Sequence, residues 1–213
     1  MVARPGSFAV LLPVKSPGSG KSRLSALPDA DRRRLAAAFA ADAVTACTAT
    51  PGVALVVVVS DDEEFATSLA RDGVVACADP GGGLNAALRH GAAFAHEVAP
   101  GLRPAALLAD VPALTAADLA EALDQARATS GPCFVEDAEG TGTTLYTAPY
   151  DAFDPRFGAG SADAHRAAGA VPVRGALATL RRDVDDLDGL DGAIALGVGA
   201  ATAAALPSRP PRH

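Results

Sequence analysis

The chain has 213 residues, a formal net charge of −7 and 49% hydrophobic residues, many of them alanine. That length suits one domain with an ample core. The acidic balance excludes a non-specific nucleic-acid surface, which needs a basic footprint to offset backbone phosphates. The longest uncharged stretches, 43–60 and 192–208, are interrupted by Pro51-Gly52 and by several glycines, so neither is expected to span a membrane. The opening apolar run is too short and wrongly flanked for a signal peptide, so a cytoplasmic protein is expected.

Residues 8–14, FAVLLPV, form a short continuous apolar run, as a strand buried on both faces requires. They lead into LLPVKSPGSGKSRL, which looks like a phosphate-binding P-loop. In that motif a glycine stands five residues before the Gly-Lys-Ser, where the backbone bends tightly around the anion. Here Lys15 occupies that position. The Walker geometry fails, yet a second ammonium takes the glycine's place. Of the chain's eighteen lysines and arginines only Lys15 and Lys21 are lysine. Where arginine serves most cationic roles, two lysines in one loop point to sites that prefer a compact ammonium over a planar fork. The loop is read as a strand-to-loop grip on an anion.

Pro28-Asp-Ala-Asp31 opens a long helix carrying Leu35, Phe39, Ala43 and Val44 on its apolar side. A second buried strand at 53–59 ends in Ser60-Asp61-Asp62, which caps a helix over 63–71. Residues 73–77 are a third strand, followed by Gly81-Gly-Gly-Leu-Asn85 and a helix to about Val98. A fourth strand at 105–109 places Asp110 at its carboxyl end. Thr115-Ala-Ala-Asp118 reads as a capping box for the next helix, its first and fourth residues satisfying each other's backbone donors. Strands follow at 132–135 and 143–147, a helix at 161–168, an extended segment at 171–173 and a helix at 186–196. Residues 1–205 are expected to form a single domain and 206–213 a flexible tail. Strands alternating with helices imply a mostly parallel sheet covered on both faces, with ligands beyond the carboxyl ends of its strands.

Cys47, Cys77 and Cys133 lie inside apolar segments without metal-ligand spacing and read as small buried hydrophobes. His90, His96 and His165 fall in helix-like stretches and read as solvated or capping side chains. The chemistry concentrates elsewhere. Asp110 follows the apolar residues of "LLADVPAL" and precedes a strand-ending proline. Asp183 and Asp185, two apart, share one face of an extended segment at roughly 6.5 to 7 Å. Such carboxylates repel unless a cation lies between them, and Mg²⁺ is usually held by one or two carboxylates with substrate phosphates. A solvated acidic turn is the alternative, since Asp186, Asp188 and Asp191 follow. The 81–85 glycines bring bare backbone and a helix start to a ligand. GTGTT at 140–144 and FGAGS at 157–161 are further donor-rich loops, although Ser161 also suits a helix N-cap.

Taken together, "LLPVK....GKSRL", "DPGGGLNAAL", "LLADVPAL", "GTGTTLY", "FGAGSADAHRAAGA" and "DVDDLDGL" resemble the CofC/FbiD guanylyltransferases of coenzyme F-420 biosynthesis, over about residues 8–196. Gly20 stands where the family has alanine, and Asp186-Leu187 where a Thr-Pro is common. The resemblance implies a single-domain α/β Rossmann-like nucleotidyltransferase of GT-A type with a mostly parallel mixed sheet. It also implies the reaction: GTP and a phosphorylated three-carbon acid give a guanosine diphosphate diester and pyrophosphate.

By motif, the resemblance gives Lys15 to the substrate phosphate, Thr143, Gly158 and Ser161 to the acid, and Asp110, Asp183 and Asp185 to Mg²⁺. The nucleotide is expected at Lys21, Arg23, Ser60, Gly82, Gly83 and Asn85. Phosphoenolpyruvate is the favoured acid, with 2-phospho-L-lactate and 3-phosphoglycerate as alternatives. No nucleic acid or membrane is expected as a partner. A homodimer is compatible, and a downstream transferase receives the product. A molybdopterin guanylyltransferase would carry G-x-G-x-R where this chain has Pro13-Val14-Lys15. A GT-A glycosyltransferase would need a second acid beside Asp110. A non-catalytic GTP-binding module would have no use for three carboxylates.

Overall fold

The computed structural model describes residues 7–16 and 27–207 of the chain. The glycine-lysine part of the first loop, with Lys21 and Arg23, therefore lies outside the described residues, as does the expected tail beyond Pro207.

β1 (Phe8–Val14), β2 (Val53–Ser60), β3 (Val74–Ala78) and β4 (Arg103–Leu107) run parallel, with β1 between β2 and β4. β6 (Thr143–Thr147) is antiparallel to both β4 and β5 (Cys133–Glu136), and the short β7 (Val171–Pro172) runs parallel to β5. The order is β3-β2-β1-β4-β6-β5-β7. β1 is apolar throughout because both its faces are covered. Val10 and Leu12 pack with Ala40 and Val44 of α1 (Asp29–Ala49), while Ala9 and Leu11 pack with Leu88 and Ala92 of α3 (Leu84–Val98). The chain leaves β1 towards β2 on one side, and β4 lies on the other. That divergence opens a crevice at the carboxyl ends of β1 and β4, where ligands bind in open α/β sheets.

Most helix starts follow their local signals. Asp62 caps α2 (Glu63–Ser68) by accepting from the Phe65 N–H at 2.9 Å. That helix stops short of the expected residue 71, and Arg71 instead forms an isolated bridge with Val74. Asp186 caps α7 (Leu187–Leu196) through the Gly189 N–H at 2.8 Å. The capping box at α4 (Ala116–Arg127) closes by half. Thr115 accepts from the Asp118 N–H at 3.3 Å, but the Asp118 carboxylate turns to the Thr179 N–H and hydroxyl, at 2.8 and 2.6 Å. Those bonds fasten α4 to α6 (Ala178–Arg181), a turn that the local sequence does not announce.

α5 (Ser161–Ala167) follows Gly160, which takes φ +69° at the N-cap, so Ser161 is the first helical residue and not the cap. α8 (Ala200–Ala205) is capped from far away: Asp42 of α1 accepts from the Ala201 and Thr202 N–H groups at 3.0 and 2.8 Å. α1, α7 and α8 enclose a third apolar cluster containing Leu35, Phe39, Val184, Leu190 and Ala205. Val184 is fully buried there, which fixes the chain on either side of it. Among the described residues no helix is long and apolar enough to cross a membrane. All three cysteines are buried and free, as expected.

Candidate active site

A cleft of about 410 Å³ opens at the carboxyl ends of β1 and β4. Its walls include Pro13, Val14 and Lys15 from the end of β1, Ala109 and Asp110 after β4, Gly83 and Leu84 at the start of α3, and Asp185. Lys15 is exposed at this rim and forms no ion pair with any described residue.

Asp110 and the Asp183–Asp185 segment are far apart in sequence and adjacent in the fold. The Val184 N–H donates to the Asp110 carbonyl at 2.9 Å, and the buried Val184 side chain anchors the same segment on its other side. Asp183 is half-buried and Asp185 exposed. Burial, followed by the negative charges of Asp110, Asp185 and Asp137, pushes the Asp183 carboxyl up to about 7. Like charges crowded into a partly desolvated place hold a proton or a cation. Among the described residues no three His, Cys, Asp or Glu side chains form a ready-made metal cage. An oxygen-only donor set short of a full shell fits a hard divalent cation that completes its coordination on a ligand's phosphates.

The glycine loop borders the cleft. Gly81, Gly82 and Gly83 take φ of +79°, +84° and +92°, a run of left-handed backbone that residues with a side chain adopt only under strain. The Asp79 carboxylate accepts from the Gly81 N–H at 2.8 Å, and the Asp79 N–H donates to the Ser60 carbonyl at 2.8 Å, so this loop is fastened to the end of β2. The Ser60 side chain is buried and accepts from the Asp62 N–H at 3.1 Å. Asp61 accepts from the Ser16 N–H at 2.9 Å, which ties in the residue after Lys15. Asn85 turns to the chain's own backbone. Its amide donates to the Phe157 carbonyl at 2.9 Å while its oxygen accepts from the Phe157 N–H at 2.8 Å. Asn85, expected at the nucleotide, thus holds the Phe157 backbone against α3.

The donor-rich 140–144 loop is the turn between β5 and β6, and its amides are already engaged. Asp137 accepts from the Thr141 and Gly142 N–H groups at 3.0 and 2.6 Å. Thr143 and Ser161 are both buried, and Gly158 is exposed with φ +140°. Thr143 and Ser161 both bond to His165, Thr143 through its hydroxyl and Ser161 through its backbone, and none of the three is among the walls named for the cleft. His165, expected as a solvated or capping residue, is instead fully buried beside Tyr146, Phe157 and Phe134. Its Nε2 accepts from the Arg156 N–H at 2.9 Å, and Nδ1 lies 3.0 Å from Thr143 Oγ1. Burial is the main cause that lowers its pKa to about 4, partly opposed by a bond to the Ser161 backbone. Helical periodicity gave no warning, since aromatic partners from three other segments create this environment. His90 and His96 are exposed as expected.

A partly parallel sheet with a cleft at its switch point, one cation at the rim and crowded carboxylates beside it is the architecture of nucleotidyltransferase-type α/β proteins. The fold matches a nucleotide-diphospho-sugar transferase from Desulfovibrio desulfuricans G20 with a TM-score of 0.66 at 20% identity, covering 88% of this chain and 86% of that one. It also matches a Mycobacterium tuberculosis H37Rv protein solved in complex with manganese, with a TM-score of 0.51 at 20% identity, covering 89% and 99%. Residues 8–168 match the family model described as "Guanylyl transferase CofC like", and the chain belongs to that family. The phosphoenolpyruvate guanylyltransferase of Streptomyces coelicolor is 50% identical over 202 residues, 92% of this chain and 94% of that protein.

Proposed function

We propose that the protein transfers the GMP unit of GTP to phosphoenolpyruvate, giving enolpyruvoyl-2-diphospho-5′-guanosine and pyrophosphate in coenzyme F-420 biosynthesis. The same reaction on 2-phospho-L-lactate or 3-phosphoglycerate is the alternative. The carrying observation is that Lys15, Asp110 and Asp185 line one cleft, with Asp183 crowded against the two acids. The name of the Streptomyces coelicolor relative supports the choice of acid.

Two polyanions must meet in this cleft, so its first task is to offset their charge. Asp110, Asp183 and Asp185 would hold a divalent cation, proposed as Mg²⁺. Such an ion supplies charge neutralisation at the phosphates and orients them for in-line displacement. Lys15 offers a compact ammonium to the acceptor phosphate. Gly82 and Gly83 let the nucleotide's phosphates approach bare backbone at the start of α3, with Ser60 beside them. Lys21 and Arg23 are proposed for the triphosphate, and Asn85, expected at the nucleotide, is proposed to act by bracing the loop that carries Gly158 and Ser161. Thr143, Gly158 and Ser161 are proposed for the acid. An acceptor phosphate oxygen attacks the α-phosphorus, the new P–O bond forms as the bond to the β-phosphate oxygen breaks, and pyrophosphate leaves with that electron pair. A phosphate monoester is already largely ionised near neutral pH, so no side-chain nucleophile or general base is required.

The protein is proposed to work in the cytoplasm and to hand its product to a downstream transferase. Homodimerisation is part of the same proposal and is read by light scattering. The direct test incubates the protein with GTP, Mg²⁺ and each acid and measures pyrophosphate. Release with phosphoenolpyruvate is expected; no release with any acid refutes the assignment. Asp183→Ala and Asp185→Ala should abolish turnover without lowering the melting temperature, and unchanged Mg²⁺-dependent rates would remove the carboxylates from the mechanism.

A further inference from the structure

The bonds around His165 fix the direction of a hydrogen bond that distance alone leaves open. The Arg156 backbone N–H can only donate, so Nε2, 2.9 Å away, carries no proton. A neutral imidazole has a single N–H, which must then sit on Nδ1. The ring is neutral for a structural reason. It is fully buried, with the Tyr146 ring stacked at 4.5 Å and Phe157 and Phe134 at 5.4 and 5.7 Å. The charged groups that bear on it are Arg156 and Asp154, of opposite sign. Among the described residues no carboxylate hydrogen-bonds to the ring.

Nδ1–H therefore faces Thr143 Oγ1 at 3.0 Å, with the Ser161 backbone as a second acceptor of the same hydrogen, and the hydroxyl accepts. A hydroxyl carries one hydrogen of its own, and here that hydrogen cannot point at His165. Among the described residues Thr143 Oγ1 has no other hydrogen-bond partner. Thr143 is 3% exposed, so bulk water does not serve it freely. The chain thus holds a buried donor, aligned from behind, that asks for an acceptor. Anionic oxygens make the strongest such acceptors.

We propose that His165 fixes the Thr143 hydroxyl as an obligate donor to an anionic oxygen of the bound phosphorylated acid, which makes His165 a positioning residue of the acid subsite. The proposal rests on the reading of Thr143 given under Proposed function. The relay runs in one direction: Arg156 N–H to His165 Nε2, His165 Nδ1–H to Thr143 Oγ1, Thr143 O–H to the ligand. The same imidazole also fastens the 153–160 segment to β6 and α5, so subsite shape and donor direction depend on one side chain.

The test measures KM and kcat separately for GTP and for phosphoenolpyruvate on the full chain. Thr143→Val keeps the shape and removes the hydroxyl, and it should raise the acid KM about ten- to hundredfold, the worth of one hydrogen bond to a charged group. The GTP KM should stay unchanged, and Thr143→Ser should restore the acid KM. His165→Asn, which keeps a donor near the Nδ1 position, should fall between wild type and His165→Phe. His165→Phe combined with Thr143→Val should be no worse than the poorer single variant, because both break one relay. An unchanged acid KM in Thr143→Val, multiplying effects in the double variant, or an equal rise in the GTP KM overturns the proposal. If the His165 variants do not fold, nitrogen NMR of wild-type imidazole decides: protonated Nδ1 with bare Nε2 supports the relay, and the opposite tautomer overturns it. Wild-type protein that turns over none of the acids overturns the parent assignment as well; turnover with any outcome contrary to the relay overturns the relay alone.

Discussion

Acid should destabilise this protein through His165 by an amount that its surroundings determine. In the unfolded chain an imidazole titrates near 6.5, and in the fold it titrates near 4 because burial disfavours the charged form. Protonation also destroys the acceptor used by the Arg156 N–H. The folded pKa lies below the unfolded one, so as pH falls through 6.5 the unfolded state binds the proton first and stability drops. The loss levels off below pH 4, where both states are protonated. Linkage across this gap gives about 3 kcal/mol in full and about 2 kcal/mol between pH 8 and pH 5. The Ser161 backbone bond and the charges of Arg156 and Asp154 are included in that shift. Asp183 works in the opposite sense, since a carboxyl raised to about 7 stabilises the fold as it takes up its proton. Comparison with His165→Gln cancels that contribution and those of the exposed histidines. The assay is urea unfolding of both proteins at pH 8 and pH 5. Wild type should lose about 2 kcal/mol more than the variant over that interval. Parallel pH dependences would refute the burial of a neutral imidazole.

Three other outcomes are expected. Lys15→Ala should lower kcat/KM for the acid at least about tenfold, and Lys15→Arg should not restore it, because a planar fork does not replace a point charge; full activity in steady-state assays of either variant removes Lys15 from the site. Asn85→Ala leaves the Phe157 N–H and carbonyl without their side-chain partner, so it should cost about 1–3 kcal/mol in denaturant melts and raise the acid KM; a rise confined to the GTP KM with unchanged stability would show a direct nucleotide contact instead. A methyl group added at Gly91 would stand 2.7 Å from Val59 Cγ2, so Gly91→Ala should cost about 1–3 kcal/mol, and adding Val59→Ala should recover part of that loss in a double-mutant cycle.

The parts legible in the amino-acid order were those whose physics is local. An unbroken apolar run such as 8–14 can be satisfied by burial on both faces, so β1 could be read from its residues, and alternating strand and helix signals led to the mostly parallel sheet. Asp62 and Asp186 cap their own helices within three residues, so those starts were visible too. Asp110, shortly past the end of β4, followed from its setting between apolar residues and a proline.

Tertiary structure decided what depends on distant partners. The cap of α8 is supplied by Asp42, far away on α1, and no nearby residue announces that helix. Asp118 had a local role available and took Thr179 instead, because a hydrogen bond across the fold outcompetes a solvated one nearby. Asn85 sits in a glycine-rich loop that suggested a ligand, yet its amide braces Phe157. His165 lies on a short helix with nothing in its neighbours to distinguish it, and it is buried because Phe134, Tyr146 and Phe157 arrive from other parts of the chain. The residue types needed for phosphate chemistry are written in the sequence. Which of them meet in the cleft, and which brace one another behind it, is settled by the long-range packing that brings β4, Val184 and the third apolar cluster together.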